Sequence, residues 1–204
     1  MISTRFLTLI AIFVALFASC GNLSKEDISK FKELKTLKGH SDYVNSVCWS
    51  PDGKYLASGA GDDTVIIWDA KSGQKLKTLK GHSLSVSSVS WSPDGKYLAS
   101  GSSDNTVIIW DAKSGQRLKS LEGHSSDVDC VSWSPDGKYL ASGSSQFNGV
   151  EDIGCIKIWD VIGVKEIQTL YRHYWSVTSV SWSPDGKYLA SGSNDETVII
   201  WGVE

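Results

Sequence analysis

The sequence lacks the patterns that mark metal sites and nucleic-acid-binding faces. Its four cysteines form no CxxC pair and have no histidine at ligand spacing, so we expect no metal and no cofactor. The formal net charge is -3, whereas a nucleic-acid-binding face needs clustered Lys and Arg. We therefore expect no nucleic-acid partner.

Methionine is nearly absent, whereas tryptophan is abundant. The chain of 204 residues has one methionine and nine tryptophans, and 41% of its residues are hydrophobic. This composition predicts one soluble, β-rich domain with an aromatic interior. Only four prolines occur, and each stands in a Ser-Pro-Asp-Gly turn, where proline presets φ and glycine accepts the left-handed conformation.

Those turns belong to an eleven-residue sequence, W-S-P-D-G-K-Y-L-A-S-G, that occurs four times, at 49–59, 91–101, 133–143 and 182–192. The first three copies are 42 residues apart, and the fourth follows after 49. A period of this length predicts stacked units that bury their apolar faces against one another. Each unit has four runs with the pattern of a β-strand, the last of them Thr-Val-Ile-Ile-Trp in three of the four units.

Two dipeptides punctuate the units. A Gly-His pair begins the first three units, and Arg-His begins the last: Gly39-His40, Gly81-His82, Gly123-His124 and Arg172-His173. A Trp-Asp pair ends the first three units, and Trp-Gly ends the last: Trp68-Asp69, Trp110-Asp111, Trp159-Asp160 and Trp201-Gly202. Over residues 33–204 this pattern resembles the WD-repeat β-propeller family. The resemblance implies an all-β propeller of four WD-type blades, each a four-stranded antiparallel sheet, with repeats at about 39–80, 81–122, 123–171 and 172–204.

Histidine, serine and aspartate recur at fixed spacing, and a single set of this kind would suggest a nucleophilic triad. An active site has no reason to be copied into every unit, however, and the resemblance implies a buried hydrogen-bonded network in each blade instead. In the third blade an insertion over 146–152 obscures the acid, for which Asp152 is the best candidate. The predicted network residues are His40, Ser58, Asp62 and Trp68; His82, Ser100, Asp104 and Trp110; His124, Ser142 and Trp159; and His173, Ser191, Asp195 and Trp201.

The residues after each conserved histidine vary, although the units are otherwise nearly identical. In a propeller blade these loops share one rim with the insertion of the third blade. One interpretation is a partner-binding rim formed by Tyr43, Leu84, Phe147, Tyr174 and Trp175, with Trp175 as the strongest candidate. The other is neutral variation in exposed loops.

The N-terminal residues predict export. An apolar run over 6–17 follows Arg5 and precedes Ala18-Ser19-Cys20, which resembles a bacterial lipoprotein signal apart from Phe17, where leucine is usual. The resemblance implies a signal peptide at 1–19, a lipid on Cys20 and a tether at 20–32, with the protein exported and lipid-anchored at the periplasmic or cell-surface face of a bacterial membrane. A plain cleaved signal and a short uncleaved anchor are the alternatives.

Closure of the blades rests on residues 33–37, which copy the outer-strand run 75–79. We expect this N-terminal strand to complete the last blade and to cover its open edge. Four blades must each turn the sheet by about 90°, against about 45° in a ring of eight. A homodimer with an eight-bladed ring and exchanged N-terminal strands is therefore expected, beside a closed four-bladed ring or an arc in the single chain.

These observations favour a non-catalytic, membrane-tethered interaction scaffold that binds a protein or peptide through the rim. One alternative is an enzyme or carbohydrate-binding propeller with its site at the channel mouth. Another is a non-functional fragment of a larger propeller. No carboxylate pair or cofactor motif remains once the repeated residues are assigned to the scaffold, so we expect the chain not to be an enzyme.

Overall fold

The computed structural model describes residues 23–147 and 149–203, without the side chains of Phe147 and Asp152. The predicted signal peptide over 1–19 and the predicted lipidation site Cys20 lie outside the described residues. The described residues divide into two units, one that ends at Thr36 and one that begins at Leu37.

In the first unit, the described residues form a short helix, α1 (Lys25–Ser29), within the segment predicted as a tether. Ser24 caps this helix, because its hydroxyl accepts a hydrogen bond from the Asp27 N–H and the Asp27 carboxylate accepts one from the Ser24 N–H. No helix in the described part of the chain is long and apolar enough to cross a bilayer.

The second unit is a four-bladed propeller whose blades are antiparallel sheets. Three sheets have four strands in the order of the chain, and the last has three. The strands are β1 (Val44–Trp49), β2 (Tyr55–Ala60), β3 (Thr64–Asp69) and β4 (Lys75–Lys80); β5 (Val86–Trp91), β6 (Tyr97–Ser102), β7 (Val107–Asp111) and β8 (Arg117–Leu121); β9 (Val128–Trp133), β10 (Tyr139–Phe147), β11 (Asp152–Asp160) and β12 (Lys165–His173); and β13 (Val177–Trp182), β14 (Tyr188–Ser193) and β15 (Val198–Gly202).

The repeated Ser-Pro-Asp-Gly sequence forms the turn between the first and second strands of every blade. In the first blade the Ser50 hydroxyl donates to the Asp52 carboxylate at 2.7 Å and accepts from the Tyr55 N–H at 2.9 Å. Gly53 has φ +68°, a backbone conformation that residues with a Cβ rarely adopt. The same pair of side-chain bonds and a left-handed glycine recur in the other three turns, which explains why this sequence is copied without change.

The core lies between consecutive blades. Val65, Ile67 and Leu79 of the first blade share one buried cluster with Val86 and Trp91 of the second. Equivalent clusters join the second blade to the third and the third to the fourth. Each blade therefore buries its apolar face against a neighbour, as the repeat period predicts.

The structure corrects the prediction for the last blade. Its sheet consists of β13, β14 and β15 only, and residues 33–37 are not in a strand, so the N-terminal segment does not complete this blade within the chain. β15 is also exposed on the face that, in the preceding blades, packs against the next blade. Val198 and Ile200 are 75% and 73% exposed, whereas the equivalent Val65 and Ile67 are 0% and 2% exposed.

The insertion of the third blade lengthens a hairpin. β10 and β11 continue their ladder through the pairs Ser145–Gly154, Gln146–Ile153 and Phe147–Asp152. The Tyr171 hydroxyl, near the end of β12, donates to the Gln146 side-chain carbonyl at 2.9 Å. The sequence locates the insertion, but it does not indicate that the added residues extend the sheet.

Candidate functional site: buried networks and an exposed rim

The second blade contains a continuous hydrogen-bonded chain. The Trp110 indole N–H donates to Ser100 Oγ at 2.8 Å, and Ser100 Oγ lies 2.7 Å from His82 Nε2. On the other side of the ring, His82 Nδ1 lies 2.8 Å from the Asp104 carboxylate. With the proton of a neutral imidazole on Nδ1, Trp110, Ser100 and His82 each donate to the next group, and the chain ends at Asp104.

The other blades repeat this geometry. Tryptophan Nε1 lies 2.8 Å from serine Oγ in every blade, and serine Oγ lies 2.6–2.8 Å from histidine Nε2. Histidine Nδ1 meets an aspartate in the first and last blades as well, at 3.0 Å for Asp62 and 2.8 Å for Asp195. The structure thus brings together all the predicted network residues of the first, second and fourth blades.

Burial and hydrogen bonding shift the pKa values of His82 and Asp62. Burial lowers the pKa of His82 and outweighs the neighbouring Asp104, so the ring is held neutral. Burial by itself would raise the pKa of Asp62, but the Ser41 N–H and the Thr64 hydroxyl donate to its carboxylate, and the pKa falls to about 2. In the second blade, burial by itself would raise the pKa of Asp104, but hydrogen bonds from Thr106 and the Ser83 N–H lower it. A neutral His82 therefore faces an ionised carboxylate in a structural hydrogen bond rather than a proton-transfer pair.

The third blade differs at the acid. His124 Nδ1 lies 3.6 Å from Cys155 Sγ, and the side chain of Asp152 lies outside the described residues. Cys155 stands four residues before Trp159, as Thr64 stands four before Trp68, and Ile153 stands six before Trp159, at the place of Asp62. Counting back from the tryptophan would have found Cys155 and Ile153 from the sequence.

A buried lysine accompanies this change. The Lys157 ammonium donates to the Glu166 carboxylate at 2.8 Å and to the Thr169 hydroxyl at 2.9 Å. Burial, assisted by the positive charge of Lys157, lowers the pKa of His124 to about 3. Burial likewise raises the pKa of Cys155 to about 11, so its sulfur is a neutral thiol rather than a nucleophilic thiolate.

The network serines are enclosed. Ser100 and Ser142 are 0% exposed, Ser191 is 2% exposed and Ser58 is 4% exposed. A nucleophile must reach a substrate carbonyl, and a hydroxyl beneath the blade surface cannot. Across the described residues, no three His, Cys, Asp or Glu side chains are grouped so that they could hold a metal ion.

The loops after the histidines are fixed to the turns between the second and third strands, so both loop types lie at one rim. The Gly61 N–H donates to the Tyr43 carbonyl at 2.9 Å. In the last blade the Tyr174 N–H donates to the Asp195 carboxylate at 3.0 Å, and the Ser193 hydroxyl donates to the Trp175 carbonyl at 2.9 Å. The rim backbone is therefore anchored to the buried networks.

Four of the predicted rim side chains project into solvent. Tyr43 is 64% exposed, Leu84 is 52%, Tyr174 is 71% and Trp175 is 58%. The side chain of the fifth, Phe147, lies outside the described residues. The structure adds Tyr171, which is 45% exposed and bonded to the lengthened hairpin; sequence reasoning missed it because it belongs to a strand rather than to a loop.

The lengthened hairpin stands beside the Trp175 loop. At Gly154 in β11, a Cβ would clash with the Trp175 carbonyl oxygen. Ser176, the next residue of that loop, donates from its hydroxyl to the Asp129 carboxylate of β9. The third and fourth blades thus share a closely packed part of the rim, next to which Tyr171, Tyr174 and Trp175 are exposed.

Comparison with known proteins gives matches along the repeats. A family model described as the WDR19 first beta-propeller matches residues 45–204. The chain is 43% identical over 61 residues to Protein HIRA of Caenorhabditis elegans, covering 29% of this chain and 6% of that protein. It is 43% identical over 51 residues to nucleoporin Nup37 of Drosophila melanogaster, covering 25% of this chain and 16% of that protein.

A third relative, the small ribosomal subunit protein RACK1 of Medicago sativa, is 44% identical over 48 residues, which are 24% of this chain and 15% of that protein. The matched stretches are close in length to one repeat, and they cover only a small part of each relative.

Proposed function

We propose that this chain, which belongs to the WD-repeat β-propeller family, is a non-catalytic scaffold that binds a protein or peptide through its post-histidine rim. The observation that carries the proposal is the exposure of Tyr174 and Trp175, 71% and 58%, on a loop whose backbone is bonded to Asp195 and Ser193. Aromatic side chains on a rigid base can bury area on binding with little loss of conformational entropy.

Two further points support this function. The recurring Ser/His/Asp sets are buried and hydrogen-bonded, so they do not offer a catalytic alternative at the rim. Two of the relatives have names that place them in larger assemblies, one as a nucleoporin and one as a small ribosomal subunit protein.

The test is capture by immobilised protein, with Trp175→Ala compared against a matched variant at the opposite rim. Ile162 suits this control, because it is 77% exposed in the turn between β11 and β12, at the other end of the blade. We expect Trp175→Ala to lose proteins that the wild type and Ile162→Ala both retain, identified by mass spectrometry. The melting temperature of Trp175→Ala should stay within about 2 °C of the wild type, since surface substitutions change stability little.

Equal capture by all three proteins would contradict rim binding through Trp175. A lower melting temperature with unchanged capture would assign Trp175 to the scaffold instead.

The same proposal includes a membrane tether. The apolar run 6–17 and Ala18-Ser19-Cys20 support export and lipid attachment at Cys20 in a bacterial host. Replacing Cys20 with serine should then move the protein from the membrane fraction to the soluble fraction. A wild-type protein that is soluble in the cytosol and retains Met1 would contradict the tether without affecting the rim.

A further inference from the structure

The first blade has one sheet face that is exposed although its equivalent in the second blade packs against a neighbouring blade. Val44, Val47 and Trp49 of β1 are 50%, 63% and 59% exposed. The equivalent residues of the second blade, Val86, Val89 and Trp91, are 0%, 5% and 7% exposed, because the first blade packs on them. The first blade thus exposes an apolar surface whose equivalent in the second blade is buried.

The last blade leaves the opposite face uncovered. Val198 and Ile200 of β15 are exposed, whereas the equivalent Val107 and Ile109 of the second blade are 0% and 1% exposed beneath the third. Tyr188 is 49% exposed here. At two internal contacts its equivalents Tyr55 and Tyr97 stack on the tryptophan of the next blade, with ring centroids 6.4 Å apart.

These two faces are the two halves of a contact that the chain already makes internally. Val65 and Ile67 pack with Val86 and Trp91 between the first and second blades. The terminal faces carry the same residue types at the same repeat positions: Val198 and Ile200 on one, Val44 and Trp49 on the other. Each uncovered face therefore has its complement at the other end of the same chain.

A polar contact between blades repeats at two of the three internal contacts. The Trp91 and Trp133 indole N–H groups donate to the Cys48 and Ser90 carbonyls of the preceding blade, both at 3.1 Å. By repeat position, the terminal faces hold the separated halves of one more such bond, the Trp49 indole N–H and the Ser181 carbonyl. The contact can thus be satisfied in hydrogen bonding as well as in apolar area.

Glycine packing gives the sharpest sign of a missing neighbour. A Cβ on Gly59 would lie 2.5 Å from Val86 Cγ1, and one on Gly101 would lie 2.7 Å from Val128 Cγ1, so the next blade's valine occupies that space. At Gly192, the equivalent glycine of the last blade, the nearest atom to a Cβ would be Ser179 Cβ at 4.0 Å. Gly192 therefore has open space beside it, the Gly192 socket, where the other blades hold a valine of the next blade. Val44 is the equivalent of that valine.

We propose that a second copy of this chain covers both faces in a symmetric dimer. The first blade of each copy packs on the last blade of the other, so that Val44 enters the Gly192 socket and Trp49 stacks on Tyr188. Two identical head-to-tail contacts related by a two-fold axis close the assembly. Two copies give eight blades, within the range of four to about eight that propellers adopt, whereas three copies would exceed it.

The proposed arrangement also offers a partner for the open edge of β15. Within the chain, the outer strand β4 directly precedes His82, the start of the second blade. Residues 33–37 copy that run and precede His40 in the same way. In the dimer, the same chain order would let residues 33–37 of one copy pair with β15 of the other. This inference rests on the terminal faces and is independent of rim binding.

The decisive variant is Gly192→Ala in the full chain, measured by multi-angle light scattering. The wild type should have twice the mass of one chain. Because a Cβ at Gly192 meets open space within the chain but a valine in the dimer, Gly192→Ala should have the mass of one chain and an unchanged far-ultraviolet circular dichroism spectrum and melting temperature of the monomer fold. Gly101→Ala is the matched control: its Cβ meets Val128 within the chain, so it should lower the melting temperature instead.

A pair of charge substitutions provides an independent second test of the dimer. Val47→Lys and Ile200→Asp should each give the mass of one chain, since a charge then faces an apolar surface. An equimolar mixture should recover the dimer mass, because one contact of the mixed dimer is wild-type and the other carries a lysine and an aspartate on facing surfaces of one cluster. A wild-type monomer, a polydisperse polymer, a dimeric Gly192→Ala protein or a mixture that stays monomeric would each overturn the proposal.

Discussion

Cys155 Sγ lies 3.6 Å from His124 Nδ1 in the third blade, where the other three blades place a threonine and an aspartate around the histidine. Thr64 Oγ1 lies 3.4 Å from His40 Nδ1 at the equivalent position. The third blade thus keeps the tryptophan, serine and histidine of the network but holds the histidine ring against a thiol.

The first prediction concerns a complete network. His82→Ala should lower the free energy of unfolding by about 2–4 kcal/mol, because it removes packing and leaves Ser100 and Asp104 without their partner. Denaturant unfolding followed by tryptophan fluorescence measures this change. Ser83→Ala, which alters an exposed side chain next to His82, is the control and should cost less than about 0.5 kcal/mol.

The second prediction concerns acid stability. Folding lowers the pKa of His124 from 6.5 to about 3, so between these values the unfolded chain binds a proton that the folded chain does not. Stability must therefore fall as the pH is lowered through this range, by about 3 kcal/mol between pH 6.5 and pH 4 from this residue. Urea unfolding at several pH values measures the slope.

His124→Gln keeps a side chain that can bond Ser142 but removes the titrating group. The variant should show a smaller loss of stability over the same pH range. An identical slope in variant and wild type would show that His124 does not contribute to the acid dependence.

The third prediction separates the two members of the Lys157–Glu166 pair. Isoleucine occupies the position of Lys157 in the other blades, as Ile66, Ile108 and Ile199. Lys157→Ile should therefore leave the free energy of unfolding unchanged or raise it, since well-packed apolar residues often replace a buried pair without loss. Glu166→Ala should lower the free energy of unfolding by about 1–3 kcal/mol, because the buried Lys157 ammonium then loses its counter-charge.

The fourth prediction uses a difference between equivalent tryptophans. Trp91 Nε1 donates to the Cys48 carbonyl, whereas Trp182 Nε1 is buried without a hydrogen-bond partner among the described residues. Trp91→Phe should thus cost about 1 kcal/mol more than Trp182→Phe, which removes an unsatisfied donor along with the extra ring. Thermal unfolding of both variants, in parallel with Trp133→Phe, measures the difference; equal losses at all three positions would contradict the assignment.

The blade architecture could be predicted because it is written into every repeat. The turn residues, the strand pattern and the residues of the Trp110–Ser100–His82 chain recur at constant spacing, and such local signals survive without knowledge of tertiary contacts. The third blade could not be predicted to the same depth. Its insertion extends the β10–β11 ladder in the same register, so Ile153, which pairs with Gln146, lies in a strand where the other blades have the acid in a turn.

The sequence by itself determined the all-β class, the four blades, the turn chemistry and the histidine networks, because each depends on contacts within one repeat or between adjacent repeats. The tertiary structure decided what happens at the two ends. Residues 33–37 have the pattern of an outer strand, yet pattern alone does not bring a strand to an edge. Whether Val44 and Val198 are covered depends on the blade that each face meets. Identical residues are therefore buried in the second blade and exposed in the first and last, because a side chain is buried only where another surface packs against it.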